Sequence, residues 1–129
     1  MSEQGPGNDF EPWLAHEFAA TGAFTALVIL VEIAGTQVTP LCSTYFNVIG
    51  DEVAWGEIVT MFAGAGRHWD GAAFFATVAA HGGPLGNPTA RLRLRELEAR
   101  VDADRLVLNQ GYFVDAWGRR MTIEEVAPP

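Results

Sequence analysis

The sequence predicts a single α+β domain, with an antiparallel or mixed sheet of about four to five strands and three to four helices, the central helices inserted between two strand groups. Three observations carry that prediction. Residues 24–33 form an apolar run rich in β-branched side chains and interrupted only by Glu32. Ala90, Leu94, Leu97 and Val101 repeat at spacings of four, three and four, the stripe of an amphipathic helix. Short apolar segments near the C-terminus are separated by turn residues, as in a return to strands.

Taken in order, residues 1–9 read as a flexible arm, 10–126 as the domain and 127–129 as a tail. Phe10, Leu14 and Phe18 recur every fourth residue beside Trp13, and Pro12 suits a first turn, so a helix is expected over 11–20 and ends at Thr21-Gly22. The run 24–33 reads as a central strand covered on both faces, a buried helix being the competing assignment. Gly35-Thr36 turns the chain into a strand over 37–49, where Leu41, Ser43, Tyr45 and Asn47 alternate with Cys42, Thr44, Phe46 and Val48. Pro40 sends the start of that strand to an edge or a bulge.

The middle third reads as helical. Asp51 is the expected cap of a helix carrying Trp55, Ile58, Val59 and Phe62, stopped by Gly64-Ala65-Gly66. Asp70 is the expected cap of a second over 72–80, with His81 at its end. A third is expected to start with Asn87 as cap and Pro88 in first position. The tail is then expected to hold strands at 106–108, 112–114 and 121–123.

Charge divides the chain in two. Glu3, Asp9, Glu11, Glu17, Glu32, Asp51, Glu52 and Glu57 all precede the first cation, Arg67, and lysine is absent. The second half balances its acids with arginines, so the formal net charge of −8 belongs to the first half. An excess of this sign opposes binding to nucleic acid, which needs cations to displace counterions from phosphates, and to anionic membrane surfaces. A protein partner, either a second copy or another chain, fits, and a small-molecule ligand stays compatible. One cysteine, Cys42, suits a reducing compartment. The amino-terminal residues lack the basic and apolar regions of a secretory signal, and the expected location is the cytoplasm.

Candidate site residues are few. His68 and Asp70, in Arg67-His68-Trp69-Asp70, could form an acid–base pair, since a carboxylate beside an imidazole fixes its tautomer and raises its basicity. Arg91, Arg93 and Arg95 crowd the start of the third helix while Glu96, Glu98, Asp102 and Asp104 follow. That order opposes the helix dipole and asks for acids from the first half or from a second subunit. Leu92 projects away from the apolar stripe and could mark a second contact face. Ser43, Tyr45 and Asn47 share one strand face and could line a small-molecule pocket. His16, His68 and His81 show no metal-ligand spacing, so no metal site is expected. The glycine-rich stretch 82–89 matches neither a nucleotide loop nor a dinucleotide fingerprint, and no cofactor is expected. Cys42 falls with Phe46 and Val48 as a small buried hydrophobe.

The resulting expectation is a small acidic protein-binding or accessory/regulatory domain without an evident catalytic motif. The alternatives are a small enzyme using His68 and Asp70, or a small-molecule binding domain. With no net basic surface, the chain should not bind arbitrary DNA or RNA duplexes at physiological salt. Fluorescence anisotropy checks this, and a submicromolar, salt-sensitive affinity would overturn it.

Overall fold

A computed structural model describes residues 8–124. The chain runs α1 (Phe10–Thr21), β1 (Phe24–Ala34), β2 (Gln37–Val48), α2 (Trp55–Ala63), β3 (Gly71–Thr77), α3 (Asn87–Ala103), a 3₁₀ turn (Arg105–Gln110) and β4 (Tyr112–Asp115). The four strands form one antiparallel sheet in the order β2-β1-β3-β4, so the α+β assignment holds.

β1 lies inside the sheet with Phe24 through Val31 all buried, because both faces are covered. On one face Phe10 and Leu14 of α1 and Trp55, Ile58 and Phe62 of α2 meet Ala26, Val28, Leu30 and Phe74. On the other, Leu94, Leu97 and Val101 of α3 and Val107 and Leu108 of the 3₁₀ turn meet Leu27, Ile29, Val31 and Phe113. The first face is aromatic. Phe74 sits 4.8 Å from Phe10, 5.9 Å from Trp13 and 6.0 Å from Phe62, ring centre to ring centre, within the range where tilted and offset rings attract.

Pro40 behaves as the sequence suggests: β2 is an edge strand, and the register with β1 slips between Leu30 and Val31, opposite Cys42 and Pro40. Gly22 closes α1 with φ +74° and donates its N–H to the Phe18 carbonyl at 2.7 Å.

Several assignments change. The expected helix over 72–80 is β3, paired with β1 on one side and β4 on the other. Its alanines favour a helix locally, but two flanking strands bind its backbone and outweigh that preference. Small side chains also fit there: a Cβ on Gly71 would come within 3.1 Å of the Val114 carbonyl oxygen. Asp70 therefore caps no helix, and exposed His81 stands in the turn closed by Gly82 N–H to Ala79 O rather than at a helix end.

Asp51 is not the cap of α2 either. The Glu11 carboxylate accepts the Trp55 N–H at 2.8 Å instead, a cap delivered from α1. Asn87 lies within the first turn of α3, after Gly86 at the cap position, with Pro88 also in the first turn. Residues 106–108 form the 3₁₀ turn, started by the Asp104 carboxylate accepting the Leu106 N–H. Val107 and Leu108 are both buried, which a half-covered strand would not allow for neighbours.

Residues 121–123 form no strand, the contact shrinking to a single bridge between Val114 and Arg120. Asn109 holds this segment by bonding both the N–H and the carbonyl of Ile123. Asn8 and Asp9, within the stretch read as an arm, are tied down: Asn8 accepts the Glu11 N–H and Asp9 the Arg120 N–H. Residues 1–7 and the tail 127–129 lie outside the described residues.

Phe74→Ala should lose about 3–5 kcal/mol of stability in urea unfolding, since it empties the centre of the aromatic face. A loss below about 1 kcal/mol would show that the face collapses around the gap.

Candidate interaction surface

After α2, Gly66 (φ +70°) reverses the chain, and Arg67-His68-Trp69-Asp70 leads into β3. Trp69 turns inward, edge-on to Phe62 at 5.3 Å and to Trp55 at 6.3 Å. Asp70 continues the β1–β3 ladder past its last residue pair. Its N–H donates to the Val31 carbonyl at 2.8 Å, and its Oδ2 accepts the Ile33 N–H at 2.8 Å. The carboxylate thus does the work of a strand carbonyl. That bond from Ile33 holds the Asp70 pKa below its ordinary value; burial opposes the shift, and the neighbouring His68 reinforces it.

His68 and Asp70 do meet, Nε2 to Oδ1 at 2.9 Å, but the His68 side chain is 80% exposed. It borders an open depression of about 460 Å³, lined by Val59, Ala63, Gly66, Trp69 and Ala116 together with Arg67. Arg67 donates to the Leu41 carbonyl at 3.2 Å and has no ion-pair partner among the described residues.

Beside Ala116 stands a residue the sequence reading passed over. Trp117 is 69% exposed, an unusual placement for so large an apolar ring. It sits in a tight turn in which the Gly118 N–H donates to the Asp115 carbonyl at 3.0 Å. The Asp115 carboxylate accepts the N–H groups of Trp117 and Arg119 at 2.9 and 3.0 Å. Arg119 pairs with the same carboxylate and lies 5.1 Å from the Trp117 ring centre.

The turn is bolted to the body from both sides. Asp9 and Phe10 donate their N–H groups to the Gly118 carbonyl, and the Trp55 indole N–H donates to the Ala116 carbonyl at 3.2 Å. Gly118, at φ +80°, presses against the Trp55 ring, where a Cβ would sit only 3.0 Å away. The signal available in the sequence was the turn Asp115-Ala116-Trp117-Gly118, which implied a tip residue without saying that the tip is a tryptophan left in water.

The other candidates lie elsewhere. Ser43, Tyr45 and Asn47 share the β2 face that looks toward α3, and Cys42 and Phe46 share the opposite one. The Ser43 hydroxyl donates to Glu98, the Tyr45 hydroxyl to the Asn87 side chain, and Asn47 accepts from the Thr25 hydroxyl. These bonds lace the edge strand to α3 and β1. A separate cleft of about 200 Å³ opens between Pro40–Cys42 and Glu98, Val101 and Asp102.

Arg91, Arg93 and Arg95 are exposed on α3, and among the described residues none of them meets a carboxylate. The expected pairing with first-half acids is therefore absent within the described chain, because α3 lies over β1 and β2 with these side chains turned outward while Asp9 and Glu11 serve backbone donors. Leu92 is exposed, as its place off the stripe implies. Among the described residues no group of three His, Cys, Asp or Glu converges on a metal position, and no helix is long and apolar enough to cross a membrane.

Asp70→Ala, which orphans the Ile33 N–H, should cost about 1 kcal/mol, and Asp70→Asn less, since an amide oxygen can still accept. A carboxyl with a lowered folded pKa stabilises fully above its ordinary value and loses that contribution as pH falls through the folded value. The gap between wild type and Asp70→Asn in urea midpoints should therefore narrow below about pH 4; an unchanged gap would show that the charge plays no part.

In comparisons with known proteins, no protein-family model, no curated protein and no solved structure matches this chain.

Proposed function

We propose that this domain acts by binding another protein, with Trp117 and the depression beside it as the contact surface. The observation that carries the proposal is a tryptophan left 69% exposed on a turn held by an aspartate, a glycine and an indole hydrogen bond. Tryptophan is the residue type most enriched among the few that dominate binding energy. Holding it in place beforehand spares part of the ordering cost of association. The adjoining depression offers apolar walls from Val59, Ala63, Trp69 and Ala116.

The chemistry of the partner follows from the border of that depression. On a chain of net charge −8, Arg67 lines the depression without an ion-pair partner among the described residues. A partner segment with an apolar side chain for the depression and an acid beside it fits this arrangement. A half-buried free thiol at Cys42 supports the cytoplasm as the compartment in which the binding takes place.

The acid–base reading has one observation in its favour, the 2.9 Å contact between His68 and Asp70. A general base needs a cleft that brings substrate to it and keeps water out. The exposure of His68 supports binding over catalysis.

The test uses the full chain as bait in native cell extract, with proteins identified from the eluate. Trp117→Ala and Ala63→Arg should each weaken recovery of a specific partner at least tenfold, about 1.4 kcal/mol, with unchanged circular dichroism, while Leu92→Ala leaves it intact. A partner held equally well by both surface variants would refute this assignment.

A further inference from the structure

The free edge of β2 carries a pattern that only a strand partner would use. Ile33 donates to Asp70 and Val31 accepts from it, so the backbone groups of both residues turn toward β3. Alternation along an antiparallel ladder then turns Ile29, Leu27 and Thr25 the same way. Their β2 partners are Val38, Pro40, Ser43, Tyr45 and Asn47, and these must direct their backbone groups away from β1, to the outside. Arg105 confirms the parity, donating from outside to the Val38 carbonyl at 2.8 Å.

The first part of this edge is closed by the chain itself. Arg105 occupies the Val38 carbonyl, Pro40 has no N–H, and Arg67 occupies the carbonyl of Leu41 beside the bulge. Such devices are how natural sheets prevent unwanted pairing. Past Leu41 they stop. Among the described residues, no group outside the β1–β2 ladder bonds the backbone of Ser43, Tyr45 or Asn47. The strand is nonetheless held firm by its side-chain bonds to α3, Ser43 to Glu98 and Tyr45 to Asn87.

We infer that two copies of this chain pair along this open stretch, antiparallel about a two-fold axis at Tyr45, and join their sheets into one of eight strands. In that register Tyr45 faces its own counterpart and Ser43 faces the partner's Asn47. The three outward positions of each copy satisfy one another with about six backbone hydrogen bonds. Two further observations favour a second copy as the occupant. Residues 37–49 contain no charged side chain, so two chains of net charge −8 meet where they repel least. Ile49, 66% exposed just past the strand, falls beside the partner's Leu41 and is covered.

Register-specific crosslinking of the full chain tests this. In a Cys42→Ser background, Tyr45→Cys places two thiols on a hydrogen-bonded pair with α-carbons about 5.5 Å apart, within disulfide range. It should oxidise to a covalent dimer. Ser43→Cys places its counterpart four residues along, about 13 Å away, and should stay uncrosslinked unless mixed with Asn47→Cys. By analytical ultracentrifugation the wild type should sediment as a dimer, and Ser43→Pro and Ile49→Lys as monomers with native circular dichroism. A monomeric wild type, crosslinking through position 43 alone, or a dimer indifferent to both variants would overturn the inference.

Discussion

A strand buried along eight consecutive residues organises the molecule. Every residue from Phe24 to Val31 is buried, so β1 needs a neighbour on each side for its backbone and a helical layer on each face for its side chains. The one polar residue in this run, Thr25, shows how strict that demand is. Its hydroxyl donates to the Asn47 side chain and accepts the Leu85 N–H, leaving nothing unpaired where an orphan group would cost a few kcal/mol. The two faces then diverge in character. Rings of Phe10, Trp13, Trp55, Phe62 and Phe74 fill the side of α1 and α2, whereas leucine, isoleucine and valine, joined by Phe113, make up most of the side of α3. The aromatic face brings tryptophans close to the surface, and the turn that carries Trp117 is anchored at that margin by the Trp55 indole.

How far the sequence could be read depended on which forces fix each element. α1, the β1–β2 hairpin, α2 and α3 announce themselves by periodicity and punctuation, since each carries its own stripe or turn. β3 does not. Gly71-Ala72-Ala73-Phe74-Phe75-Ala76-Thr77 contains good helix formers and no alternation, because it is covered on both faces and its identity comes from strands distant in sequence. The 3₁₀ turn at Val107 and Leu108 was hidden for a similar reason: two adjacent apolar residues read equally well as a strand covered on both faces or as a coiled backbone covered on one, and only the rest of the fold decides how many faces are covered. Of the candidate site, Arg67, His68 and Asp70 were legible as a local cluster, and Ser43, Tyr45 and Asn47 as one strand face. Trp117 was not, because exposure is decided by what fails to pack against a residue, and that is a property of the whole fold.

The acidic composition takes on a different meaning once the side chains are placed. Asp9 accepts the N–H of Arg120, Glu11 that of Trp55, Asp70 that of Ile33, Asp104 that of Leu106 and Asp115 those of Trp117 and Arg119. In each case a carboxylate serves a backbone donor at the end of an element or in a turn, where the regular ladder has run out. The described residues show only two side-chain ion pairs, His68 with Asp70 and Arg119 with Asp115. These five acids are therefore matched to amides, and only Asp70 and Asp115 of them also meet a cationic side chain among the described residues. A surplus of negative charge with few ion pairs is then compatible with a stable fold, and further surface ion pairs would have added little to it.

The reach of two of these carboxylates bears on how the chain comes into being. Asp9 and Glu11 are synthesised well before the groups they serve, which belong to Arg120 and Trp55, and the turn that receives the Asp9 and Phe10 amides ends at Gly118. At a ribosomal pace of about 5–20 residues per second, α1 waits roughly 5–20 s for its last partners. Through that interval the apolar side of α1, with Phe10 and Leu14, has no finished surface to rest on, while β1 and β2 are free to zip into their hairpin. Helix α1, ahead of every other described element in the chain, is thus among the last to be secured, and its residues act as the domain's closing latch.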